Sequence, residues 1–212
     1  LTGDLLFARA SNIVSGLGER ALSLQAKVFE QLVLGQLHET VGPNDGEDPL
    51  SHYLDVLRDK TGSLIALSAR LGAMLAGADE KYQEPLQLFG ERIGVAFQLA
   101  DDLIDIRAKV QDSGKVSGTD LLAGVPTLPV LLLSSFDDEG SKKLAADIEA
   151  GISNEQLPDI LERLRQHPAM ELAQRQTMEW AERAIAAIEP LPEGSVKDAL
   201  VAFARAVVER KG

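Results

Sequence analysis

Apolar residues recur every three to four positions through almost the whole chain, and no stretch sustains an alternation of period two. That pattern commits the polypeptide to helices with one buried face and leaves no material for a sheet. Between 21 and 40 it is carried by Leu24, Val28, Leu32 and Leu34. Val41-Gly42-Pro43-Asn44-Asp45-Gly46 then interrupts it with residues that suit turns and break helices. The spacing predicts a long helix over 49–76, with Pro49 at a first helical position and a weak point at Thr61-Gly62 where a kink is expected. Another long helix is predicted over 84–108, and the polar stretch 111–120 is expected to be a loop. Residues 125–133 are apolar but contain Pro126 and Pro129, which fit a short, proline-broken helix better than a central strand. The segments 141–150, 154–166, 169–188 and 193–209 read as amphipathic helices with short, proline-marked joints such as His167-Pro168 and Pro190-Leu191-Pro192. With no linker to divide it, residues 1–212 are expected to form one all-α domain.

Charge and composition remove several classes of function. Asp and Glu number 33 against 21 for Lys and Arg, a net charge of −12, which is the wrong sign for a nucleic-acid module. The absence of cysteine excludes disulfides, thiolate metal sites and a cysteine nucleophile. No apolar run approaches the roughly 20 residues of a membrane span. Asp4, Arg9 and Asn12 interrupt the opening where a signal peptide would be apolar, so a cytoplasmic protein is expected. Leu1 opens directly on an apolar segment with no capping residue before it, and the beginning of the protein is expected upstream of it.

One segment stands apart. On a helix, Gly94, Gln98, Asp101 and Asp105 fall on one face, four, three and four residues apart, amid an otherwise apolar sequence. Like charges one turn apart repel, and carboxylates drawn toward a core need a positive partner. A solvated face would carry Lys, Glu or Arg where this stripe carries Gly94 and Gln98. A salt bridge to a neighbouring helix would not require the third aspartate, Asp102. Oxygen ligands without Cys or His favour a hard cation such as Mg²⁺, which takes one or two protein carboxylates and completes its shell with water and substrate phosphates. Nearby, Gly114-Lys115 and Gly118-Thr119-Asp120 could bring backbone and a point charge to a phosphate, and Lys60-Thr61-Gly62 could add a cation and a hydroxyl at the kink.

These residues together resemble a known family. Phe97-Gln98-Leu99-Ala100-Asp101-Asp102-Leu103-Ile104-Asp105 resembles the second aspartate-rich motif, FQxxDDxxD, of the trans-polyprenyl diphosphate synthases. Gly114-Lys115 with Gly118-Thr119-Asp120-Leu121 is similar to the loop after that motif, and Thr127-Leu128-Pro129 to the TLP that follows. Lys60-Thr61-Gly62 resembles the KT motif, Gly35-Gln36 with Glu39 the GQxxD motif, and Gly3-Asp4-Leu5-Leu6 through Ala10 the GDxLLxxA segment.

The resemblance implies mostly antiparallel helices around a central apolar cavity, a homodimer, and head-to-tail condensation of isopentenyl diphosphate with an allylic diphosphate. It implies Mg²⁺ on Asp101, Asp102 and Asp105, catalytic roles for Asp101, Lys60 and Lys115, and diphosphate binding by Lys60, Thr61, Gln98, Lys115 and Gln36. The family's first aspartate-rich motif and its upstream basic segment are not in these residues, so the 212 residues alone are expected to be inactive. Leu122-Ala123-Gly124-Val125 stands where relatives often carry REGK.

Other readings are a non-catalytic subunit of a heteromeric prenyl synthase and a class I terpene cyclase. The intact aspartate motif disfavours the first, and Lys60-Thr61 with Gly114-Lys115 disfavours the second. A four-helix di-metal oxidase would need Glu-x-x-His pairs, but Gly35, Pro49 and Leu164 precede His38, His52 and His167 by three.

Overall fold

The computed structural model describes residues 1–107 and 117–210, and within them there are helices and turns but no strand. Helices α1 (Thr2–Ser15) and α2 (Glu19–Val41) open the chain. Helix α3 (Pro49–Leu57) starts as its sequence predicts: the Asp48 side chain accepts from the Ser51 N–H and Pro49 occupies the first turn.

The helix predicted over 49–76 is present over 49–75, with its winding changed midway. Arg58–Gly62 winds as a π-helical turn before α4 (Ser63–Leu75), so the expected kink is a widened turn centred on Lys60-Thr61-Gly62. Turns of this kind inside helices recur at functional sites. Helix α5 (Gln83–Arg107) follows a 3₁₀ turn (Glu80–Tyr82).

The loop predicted over 111–120 lies partly outside the described residues, and its end is not loop. Thr119–Leu122 forms a short helix, α6. Gly118 turns the chain into it with φ +75°, its N–H bonds the Asp105 carbonyl at 3.2 Å, and Leu121 is buried. The proline-broken helix is present as α7 (Leu128–Leu131) with a 3₁₀ turn (Leu132–Ser135). Helices α8 (Glu139–Glu149), α9 (Leu157–Gln166), α10 (Pro168–Ala187) and α11 (Ser195–Glu209) complete the tail close to their predicted bounds.

Helix α5 is the axis of the fold. Its Val95, Leu99, Leu103 and Ile106 enter one apolar cluster with Leu121, Leu128, Leu132, Leu161 and Leu164. Its Phe89, Ile93 and Ala96 enter a second with Ala181, Ala184, Ile188, Ala204 and Val207. Each fully buried Leu, Ile or Phe contributes about 1.5–3 kcal/mol. Glycines let the neighbouring backbones come close. A Cβ on Gly94 would lie 2.7 Å from the Gly62 Cα, one on Gly90 2.7 Å from the Ala66 Cα, and one on Gly35 2.7 Å from the Asp59 Cβ. These contacts seat the π-turn between α2 and α5. At the other extreme, Leu5, Leu6 and Ile13 of α1 and Leu22, Val33, Leu34, Leu37 and Val41 of α2 are exposed.

Candidate active site

The last turns of α5 present two faces. Asp101 and Asp105, one turn apart, are both partly exposed, whereas Asp102, rotated by one residue, is buried. The Asp105 carboxylate accepts from the Thr119 hydroxyl at 3.2 Å and weakly from the Asp120 N–H at 3.5 Å, so it receives the start of α6. Asp120 is drawn against both. Its own burial, then the charges of Asp105 and Asp101, raise its carboxyl above the usual value. Negative charge is therefore concentrated at this end of α5.

Asp102 points the other way. Its Oδ2 accepts from the buried Tyr53 hydroxyl of α3 and from the Leu128 N–H at 2.8 Å, fastening α3 and the start of α7 to α5. Burial pushes its carboxyl up to about 7, against the lowering effect of the Tyr53 and Leu128 hydrogen bonds and with the help of Asp120 and Asp101. The same burial, with the charge of Asp102, pushes the Tyr53 phenol well up. The expected set of three aspartates thus divides, because consecutive helical residues cannot share a face. Among the described residues no group of three or more His, Asp or Glu side chains is placed to hold a metal ion. Asp101 and Asp105 remain as a pair of oxygen donors, the number that Mg²⁺ typically takes from protein.

The remaining expected residues form a second group. The Glu39 carboxylate binds the Lys60 ammonium of the π-turn and accepts from the Gln36 amide at 2.9 Å, joining two sequence motifs through one side chain. Gln31 of α2 reinforces the same junction by donating to Asp59 at 2.8 Å. Thr61 lies in the same turn, and Gln98 lies on α5 one turn beyond Gly94, which packs against Gly62. Lys60 itself is held by Glu39. Lys115 lies outside the described residues.

The cation on Asp101 is one the sequence motifs do not include. Arg210 Nη2 is 2.8 Å from Asp101 Oδ1 and bonds the Phe97 carbonyl at 3.2 Å, with the guanidinium 4.1 Å from the centre of the Phe97 ring. Tyr53 and Arg210 were both invisible to motif reasoning. Tyr53 carries only the mark of an aromatic residue on an apolar face, and Arg210 meets Asp101 across 109 residues of chain.

A sequence model of the polyprenyl synthetase family matches residues 1–165. The chain belongs to that family. The nonaprenyl diphosphate synthase of Mycobacterium tuberculosis is 38% identical over 213 residues, an alignment that covers 100% of this chain and 64% of that protein. The octaprenyl diphosphate synthase of Haemophilus influenzae is 34% identical over 212 residues, covering 99% of this chain and 64% of the relative. Among solved structures, a geranylgeranyl pyrophosphate synthase from Corynebacterium glutamicum, crystallised with calcium and isoprenyl diphosphate, superposes with a TM-score of 0.88 at 38% identity, covering 99% of this chain and 66% of that one. The chain thus spans a little under two thirds of the curated relatives it matches, and its all-α architecture is that of the solved family members.

Proposed function

We propose that this polyprenyl synthetase chain carries the diphosphate-activating wall of a prenyltransferase that condenses isopentenyl diphosphate head-to-tail with an allylic diphosphate. The observation that supports this most directly is the pairing of Asp101 and Asp105 on one accessible face of α5, with Asp120 crowded against them. Asp101 and Asp105 would hold Mg²⁺, while Asp102 keeps α5 in register with α3 and α7 through Tyr53 and Leu128. A divalent cation held there would supply charge neutralisation for a departing diphosphate. Lys60 and Lys115 add positive charge toward the diphosphate, while Thr61 and Gln98 offer hydrogen bonds to it. Gln36 acts at one remove, because its amide and Lys60 share the Glu39 carboxylate. The isopentenyl double bond then attacks the allylic cation, and the freed diphosphate takes the proton whose loss restores a double bond.

The protein works as a homodimer in the cytoplasm. The exposed apolar side chains of α1 and α2 support self-association, which sedimentation equilibrium tests directly. The catalytic reading is tested with labelled isopentenyl diphosphate, an allylic primer and Mg²⁺, using the full-length protein beside Asp101→Ala. Label should enter a lengthened prenyl product, and the variant should lose at least about a hundredfold in turnover, as removal of transition-state charge stabilisation does. Near-normal turnover by the variant would overturn the role given to this face.

A further inference from the structure

Arg210 engages the aspartate face in three ways at once. It pairs with Asp101 Oδ1 at 2.8 Å, bonds the Phe97 carbonyl at 3.2 Å and lies over the Phe97 ring, so it straddles a full turn of α5. A guanidinium does all three through one nitrogen and its flat face: Nη2 donates to both oxygens while the plane lies over the ring. Asp101 is also the residue that the proposed function assigns to the divalent cation. A carboxylate oxygen cannot serve both partners at full strength. A metal at about 2 Å from Oδ1 would stand within a few ångströms of the guanidinium, and the two positive charges would repel.

We propose that Arg210 is the resident counter-ion of Asp101 in the metal-free protein and is displaced from that carboxylate when a divalent cation binds. This rests on the metal reading of Asp101 given above. Without metal, Arg210 neutralises a carboxylate that Asp105 and Asp120 would otherwise repel. With metal, that neutralisation becomes redundant and the arginine lets go. It has somewhere to go, because its side chain already lines a cavity of about 500 Å³ together with Gln174, Glu182 and Glu209. The last helix, α11, is in this way tied to the state of the aspartate face, although it supplies no ligand to it.

The test is calorimetric titration of Mg²⁺ alone into the full-length protein, without substrate, comparing the native sequence with Arg210→Gln, Arg210→Lys and Asp101→Asn. Displacing a partly exposed ion pair costs metal affinity about two- to fivefold, so Arg210→Gln should bind Mg²⁺ tighter by that factor. Arg210→Lys, which keeps the charge, should fall between it and the native protein. Asp101→Asn should bind at least tenfold more weakly. If Arg210 only braced α11, its loss would lower the melting temperature and leave Mg²⁺ affinity unchanged or weaker. That result, with Asp101→Asn weakened as expected, overturns the role of Arg210 and leaves the aspartate site standing. Native binding by Asp101→Asn overturns both.

Discussion

Helix α1 buries none of its 14 residues, whereas α5 buries 12 of its 25. Both carry apolar residues at helical spacing. What separates them is company: α5 has α4 on one side and α10 on the other, with Gly90 and Gly94 admitting the neighbouring backbone, while the apolar residues Leu5, Leu6 and Ile13 of α1 meet solvent. A periodic stripe therefore specifies that a helix wants a partner, and the partner is specified elsewhere. The contrast extends to polar groups. On α5, a one-residue rotation separates Asp102, which staples the core, from Asp101, which faces outward. On α1 such a rotation would change little.

The largest test of this contrast is paired truncation. Leu99→Ala, at a fully buried position of α5, should cost about 2–5 kcal/mol of stability, and Leu6→Ala on α1 less than about 0.5 kcal/mol, in chemical denaturation at dilutions where the chain is monomeric. Equal losses there would mean that α1 is covered within the monomer itself. Next come the glycines. Gly94→Ala would drive a methyl into the Gly62 backbone and should destabilise by about 1–3 kcal/mol, whereas Gly3→Ala meets nothing within 4 Å and should stabilise by up to about 1 kcal/mol.

A subtler effect concerns Asp102. Its carboxyl titrates near 7 in the folded protein against 3.8 in the ordinary case, so between these values the folded chain holds more protons than the unfolded one. The stabilisation from this group is complete below about pH 4 and is lost as pH rises through about 7. Melting temperature in metal-free buffer should therefore fall between pH 5 and 8, and fall less in Asp102→Asn, whose amide oxygen still accepts from Tyr53 and Leu128. Parallel slopes would remove Asp102 from the buried role.

The smallest effect is at the surface. Breaking the Arg163–Asp147 pair, 2.7 Å apart and only partly buried, by Arg163→Ala should change stability by no more than about 1 kcal/mol, and less in high salt.

Much of the helical plan is visible before any coordinates. The Pro49 start, the interruption near Gly62 and the proline-broken α7 all follow from local chemistry, since cap, proline and glycine effects act within a turn or two. The stripe of Gly94, Gln98, Asp101 and Asp105 was readable for the same reason. Asp102 was not separable from its neighbours, because its inward role depends on Tyr53 and Leu128, 49 and 26 residues away. Nor could α6 be seen inside a polar stretch, because Leu121 is drawn helical by the core beneath it.

The order of the amino acids alone thus determined that this protein is all-helical, where most of its helices break, and which carboxylates share a helical face, since these follow from bond geometry and near neighbours. Tertiary structure decided that Lys60 meets Glu39, that Asp102 turns inward and that Arg210 closes on Asp101. Those outcomes depend on which surfaces are brought together by burying apolar area, and burial carries no memory of distance along the chain.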